Sequence, residues 1–194
     1  MALYEELKSW QSAIAAIVGF TGLIVGALWN FHLNRRRDAE IRQSEMLSVA
    51  SALYGEILLL RQEAARVARI IAQWEANLRD CFEHSSVEDY LPGDPILYPA
   101  LASKIGLLPP DLVLAITEFH KNYRDVKDNM PLVAERPGRV TFCSTAVLEP
   151  AWAAVMEVRP ALRKIEALVG IPEASDPDLG YTDAIIENRR ATIL

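Results

Sequence analysis

Residue types able to carry metal or acid–base chemistry are few in this chain. The histidines are His32, His84 and His120, and the cysteines are Cys81 and Cys143. Cys81-Phe82-Glu83-His84 has the C-x-x-H spacing of half a zinc site, and His120 with Cys143 would complete a Cys2His2 set. Strong zinc signatures carry two close ligand pairs, and here there is one. The expectation is therefore that Cys81 continues a helix stripe as a small apolar residue and that Cys143 is buried elsewhere. His32 falls beside an apolar segment, where an interfacial polar residue belongs. No Gly-rich phosphate loop, G-x-S-x-G elbow or H-E-x-x-H pair occurs. The carboxylates Glu173 and Asp176 fall in a polar tail and read as solvated surface. No catalytic residue, cofactor or metal site is expected, and the chain does not read as an enzyme.

The segment that dominates the chain is apolar. No Asp, Glu, Lys or Arg occurs from Ser9 to Asn34, a run long enough to cross a bilayer, which needs about 20 apolar residues. Trp10 and Trp29 stand about 28 Å apart at the helical rise, so one falls at each interface as an aromatic belt requires. Within the span, Ser12, Ala15, Gly19, Gly22 and Gly26 recur at spacings of three and four. They place small residues on one face, where backbones can approach and helices associate in lipid; Gly22 and Gly26 form a G-x-x-x-G. This face is the expected oligomerisation surface. Thr21 and Asn30 are the other polar side chains near the core, suited either to a narrow polar path or to bonding across helices.

Orientation follows from the flanks. Arg35, Arg36 and Arg37 succeed the span, whereas Glu5 and Glu6 outweigh Lys8 before it. Basic residues collect on the cytoplasmic side, so the N-terminus is expected outside and the C-terminal part inside, in a single-pass inner-membrane protein. Val25-Gly26-Ala27 has the look of a signal-peptide cleavage site. The n-region lacks its positive charge, however, and the basic cluster lies on the wrong side. Trp10, Trp29 and the three arginines are the expected membrane-interface residues.

Four of the 20 Lys and Arg and two of the 26 Asp and Glu lie at or before Arg37, leaving an excess of eight negative charges beyond it. Such a domain lacks the clustered cations needed to bind nucleic-acid backbones. Cys81 and Cys143, on the expected cytosolic side, read as reduced thiols.

The 194 residues divide into an extracytoplasmic N-terminus (1–9), a transmembrane helix (10–31), a juxtamembrane and long cytosolic helix (32–84), the remainder of a helical bundle (85–171) and a polar tail (172–194). From Ala27 to Tyr54 there is neither Pro nor Gly, so the span should run unbroken into the next helix. There Ala50, Ile57, Ala64, Ile71 and Leu78 interleave with Met46, Leu53, Leu60, Val67, Trp74 and Cys81 as a heptad stripe. Glu56, Arg61, Glu63, Arg66, Arg69, Glu75 and Arg79 supply the polar face. Ile57-Leu58-Leu59-Leu60 should be buried on more than one side, and Gly55 should mark close packing by a neighbour. Residues 85–95 read as loop, followed by a short helix ended by Gly106 as a left-handed cap. Pro109-Pro110-Asp111 opens a helix with Leu112, Ile116, Phe119, Tyr123, Val126 and Met130 inward, stopped by Pro131. A last long helix from about Ser144 to Val169 carries Leu148, Trp152, Val155, Leu162 and Ile165, with Pro150 in its first turn, Pro160 at a kink and Gly170 as its end. A short strand over residues 139–143 is the less favoured reading, since it has no partner. A short helix is expected over residues 183–190. The fold class is thus all-α: one N-terminal transmembrane helix continuous with a long helix of an antiparallel helical bundle.

In its organisation the chain resembles small bacterial membrane effectors of antiphage defence systems. The likeness rests on the short acidic N-terminus, the Trp10-to-Trp29 span, Arg35-Arg36-Arg37 and the helical bundle that follows. It extends over the whole chain as a layout, no residue motif carries it, and no functional residue transfers. In that group one or a few spans are paired with a cytosolic helical domain that senses a signal. The resemblance implies a homo-oligomeric membrane effector or channel held closed until a nucleotide signal or a cytosolic protein releases it. A membrane-anchored scaffold that recruits a soluble partner is the alternative. The expected partners are the lipid bilayer and further copies of the chain.

Overall fold

The computed structural model describes residues 2–76, 84–135 and 140–193, and all of the regular structure among them is helical. The helices are α1 (Ala2–Ala76), α2 (His84–Tyr90), α3 (Leu97–Ala100), α4 (Pro110–Asn129), α5 (Leu132–Glu135), α6 (Val140–Met156), α7 (Arg159–Val169) and α8 (Thr182–Ile193), with a 3-10 turn over Ala102–Leu107. The chain forms two compact units, Met1–Glu45 and Met46–Leu194.

The first unit is the N-terminal part of α1. It holds the one stretch among the described residues that is long and apolar enough, by length and composition, to cross a membrane, and none of that stretch is buried within the chain. Thr21 Oγ1 donates to the Ile17 carbonyl 2.7 Å away, so this hydroxyl is spent on its own helix.

The second unit is the bundle. The heptad stripe of α1 is its spine: Ala50, Leu53, Ile57, Ala64, Val67 and Ile71 are fully enclosed, and Leu60 and Trp74 nearly so. Leu78 and Cys81 lie outside the described residues. From α4 and its C-cap Met130 the inward positions Leu112, Ile116, Phe119, Tyr123, Val126 and Met130 are all buried; α6 and α7 add Leu148, Ala151, Val155, Leu162 and Ile165.

Prolines set the helix boundaries differently from expectation. Pro160 starts a new helix after a break at Glu157 and Val158, whereas Pro150 lies inside α6. A mid-helix proline has no N–H for the carbonyl four residues back. That carbonyl belongs to Ala146, and Asn129 Nδ2 of α4 donates to it at 3.0 Å. A proline is tolerated there because a side chain from a neighbouring helix replaces the missing donor. At the break, Arg61 Nε of α1 donates to the Val155 carbonyl at 2.8 Å, putting a cation at the carbonyl end of α6.

Other expectations shift. Residues 84–90 are helix, not loop, and the irregular connection is confined to residues 91–96. Gly106 sits within the 3-10 turn, and the left-handed glycines among the described residues are Gly170 (φ 76°), which does end α7, and Gly180 (φ 56°). The Gly170 and Ile171 N–H groups both donate to the Glu166 carbonyl, closing the helix. Residues 140–143 begin α6, with no strand among the described residues. Leu59 is exposed and nothing approaches a Cβ placed on Gly55, so that turn is buried on one side only.

The described part of the expected polar tail, residues 172–193, packs onto the bundle. Leu179 and Ile186 enter the core, and α8 is fastened by Arg189, whose Nη2 reaches both Glu75 oxygens at 2.6 and 2.7 Å and Ser144 Oγ at 3.0 Å. Trp152 is half-buried at this seam. Its Nε1 donates to Asp183 at 2.8 Å, and the Arg190 guanidinium lies 4.5 Å from its ring centroid.

Candidate functional site

Two regions hold the residues singled out by sequence. On the first unit, Ala15, Gly19, Gly22 and Gly26 lie exposed along α1, and a Cβ at any of the three glycines would meet nothing within 4 Å. Ser12 is in the same helix, with its side chain outside the description. Trp10 and Trp29 are exposed at 62% and 68%, with Phe20, Leu23 and Leu28 exposed between them. Arg35 stacks over the Phe31 ring at 5.5 Å, Arg36 pairs with Glu40 at 3.3 Å, and Arg37 and His32 are exposed.

On the second unit the sequence-level zinc set is only partly visible. Cys81 lies outside the described residues, and the side chains of His84 and Cys143 are likewise undescribed. No group of three or more candidate metal donors occurs among the described residues. His120 has a carboxylate near it, Glu56 Oε2 at 4.0 Å from Nε2, which makes two donors where a structural metal site needs four.

What His120 does help line is a pocket between the 91–96 connection, α3 and α4. It lines a cleft of about 380 Å³ with Asp94, Pro95, Tyr98, Arg124 and Lys127, near the lower end of the size range of small-molecule sites. The Tyr98 ring stacks on the imidazole with centroids 3.8 Å apart, and Phe119 meets it edge-on at 5.1 Å. Both ring nitrogens are buried without a hydrogen-bond partner in the chain. Burial pushes the His120 pKa down to about 4; the Glu56 charge pulls it back up, and Arg124 depresses it further. The ring is therefore neutral at neutral pH, with one nitrogen a donor and the other an acceptor.

Glu56 belongs to the polar face by its spacing, and the structure buries it. Its carboxylate accepts the N–H groups of Ile96 at 2.6 Å, Leu97, and Tyr98 at 2.8 Å, meeting donors that the first turn of a helix cannot satisfy internally. Glu63 fixes the preceding loop, accepting from Gly93 N at 2.9 Å and from the Tyr123 hydroxyl at 2.6 Å. Burial, with Glu63 beside it, pushes the Tyr123 hydroxyl above the ordinary tyrosine range. Lys127 pairs with Asp94 across the cleft mouth.

Arg61, also on the polar face by its spacing, is buried too. At about 100° per residue, Glu56 falls at one margin of the apolar arc that holds Leu53, Leu60 and Ala64, and Arg61 lies near the other, just short of Tyr54, Ala65 and Ala72. That marginal position was the available signal for both. The cleft offers shape, an aromatic wall and polar groups suited to binding. No protein-family model, curated protein or solved structure matches this chain.

Proposed function

We propose that this protein is a homo-oligomeric, single-span membrane protein whose helical bundle controls a membrane effector or channel activity in a stress or antiphage response. The observation that carries the reading is the Trp10–Trp29 stretch: free of charge, exposed from Ala15 to Trp29, bounded by tryptophans and followed by three arginines. Apolar surface left in water costs about 25 cal/mol per Å², a cost that lipid removes. The row of Ala15, Gly19, Gly22 and Gly26, open to close approach, supports self-association. The arginine flank supports an N-terminus outside and a bundle on the cytoplasmic face of the inner membrane. A cytosolic protein or a nucleotide signal that binds one arrangement of the bundle better than another would bias the span through α1, which carries no Gly or Pro between Ala27 and Tyr54.

The test is insertion of Gly-Gly-Ser after Arg37, which breaks helical continuity and leaves both halves intact. Depolarisation or growth arrest on expression should change sharply, in either direction. Purified protein should likewise alter ion flux from liposomes, and the insertion should change that flux. If parent and insertion protein are equally harmless, with or without infection, the channel reading fails and a membrane-anchored scaffold takes its place.

A further inference from the structure

Between α7 and α8, residues 171–180 form a strap without regular secondary structure. Three of its carboxylates meet four arginines from two helices. Asp176 is shared: its Oδ1 takes Arg61 Nη2 of α1 at 2.8 Å, and its Oδ2 takes Arg159 Nη2 of α7 at 2.7 Å. Glu173 pairs with Arg163 at 3.2 Å, and Asp178 lies 3.9 Å from Arg69. In a chain of net charge −6 this is a local concentration of cations, and it is filled from within.

The centre and rim of this groove differ in kind. The Arg61 side chain is 2% exposed, whereas Glu173 and Asp178 are 75% and 79% exposed. Exposed pairs contribute little, but a buried guanidinium deprived of its counter-ion is strongly destabilising. Arg61 thus obliges the groove to hold an acid at all times. The strap can leave only by exchange, with another carboxylate arriving as Asp176 goes. Its ends permit that. Gly170 closes α7 before it, and Leu179, buried in the core, anchors the chain after it together with the Arg189–Glu75 pair and the Trp152–Asp183 bond, so residues 171–178 can bulge outward as a loop once the Ala174 N–H leaves Glu166. Pro172 and Pro177 favour an extended course, the shape in which an acidic peptide lies in a groove.

We propose that the groove of Arg61, Arg69, Arg159 and Arg163 is a recognition site for an acidic peptide segment of a partner protein, with Glu173, Asp176 and Asp178 its resident, self-supplied occupant. Recognition is by charge-assisted hydrogen bonds from arginines to spaced carboxylates. The resident strap competes at the high effective concentration of a tethered ligand, so the groove opens only to a partner that matches its charges. The site stands whether or not the span conducts.

The probe is a fluorescent synthetic peptide with the sequence of residues 171–181, titrated into the full chain in detergent. The chain carrying Glu173→Gln, Asp176→Asn and Asp178→Asn should bind it at least roughly tenfold more tightly than the parent, the scale expected when a tethered competitor is weakened. Adding Arg159→Gln and Arg163→Gln should abolish the gain. A peptide with Gln and Asn for its acids should not bind. If Asp176→Asn prevents folding, the Glu173→Gln/Asp178→Asn chain, which keeps the central pair, should still gain roughly threefold from loss of the rim pairs. No gain in a folded variant, or equal binding of the neutral peptide, overturns the proposal. Displacement of the peptide by inorganic phosphate at matched charge would replace it with a simple anion site.

Discussion

Replacing His120 by Phe should remove a defined part of the acid sensitivity of the bundle. The folded state holds His120 at a pKa of about 4 against an ordinary 6.5, mainly because burial disfavours the charged ring. Between those two values the unfolded chain binds the proton and the folded chain does not. Stability must therefore fall as the pH falls through this window and level off below the folded value. Linkage puts the slope near 1.4 kcal/mol per pH unit, or about 2 kcal/mol lost between pH 6.5 and pH 4.5. The depressed carboxylates act lower. Burial alone would raise Asp176 and Glu166, but Arg61, Arg159 and Arg163, with the Tyr54 hydroxyl and the Ala174 N–H, outweigh it and hold both below the ordinary range. Their contributions are complete above the ordinary carboxylate values and vanish as the pH drops through the lower folded ones. Urea unfolding of a fragment beginning at Ala39, followed by far-UV ellipticity from pH 7 to pH 4.5, separates the two windows. His120→Phe keeps a flat ring between Tyr98 and Phe119 and removes two unpartnered nitrogens, so stability at pH 7 should be equal or higher. Its stability should then change by less than about 0.5 kcal/mol down to pH 4.5, since the titrating group is gone. A variant that loses as much as the parent over that window would refute the argument.

Three further outcomes are expected. Gly22→Leu and Gly26→Leu should weaken oligomers in detergent more than Leu23→Ala does, and equal losses from all three would argue against a specific face. Phe119→Ala, at a position 2% exposed, should cost about 3–5 kcal/mol in the Ala39 fragment, read from urea midpoints. Reporter fusions at Leu194 should be active in the cytoplasm, and activity confined to the periplasm would reverse the proposed topology.

Much of this fold is legible in the sequence because its burial is periodic. The α1 stripe and the six inward residues of α4 follow from spacing alone, and those described are buried, Met46 only in part. What spacing does not reveal is where a polar side chain at the margin of a stripe finds its partner. Arg61 meets Asp176 across 115 residues, and Glu56 meets the start of α3 across about 40. Each is buried only because a distant segment brings its counterpart. The same holds for His120. It follows Ile116 by one turn and so shares its buried side, but its neighbours Tyr98 and Glu56 come from elsewhere. Pro150 and Pro160 exchanged roles for a related reason: the donor that rescues Pro150 sits on α4 and leaves no trace in the local sequence of α6.

The backbone of α6 is completed from outside at two carbonyls, Ala146 by Asn129 and Val155 by Arg61. Both donors precede their acceptors in the chain, so a ribosome delivers them first. When α6 emerges, the residues whose side chains replace its missing N–H groups have already been synthesised on α1 and α4, and this proline-interrupted helix is not required to persist alone. A synthetic peptide of residues 140–156 should accordingly be largely unfolded in water. A strongly helical peptide would show that α6 needs no such help and that the order of synthesis is immaterial to it.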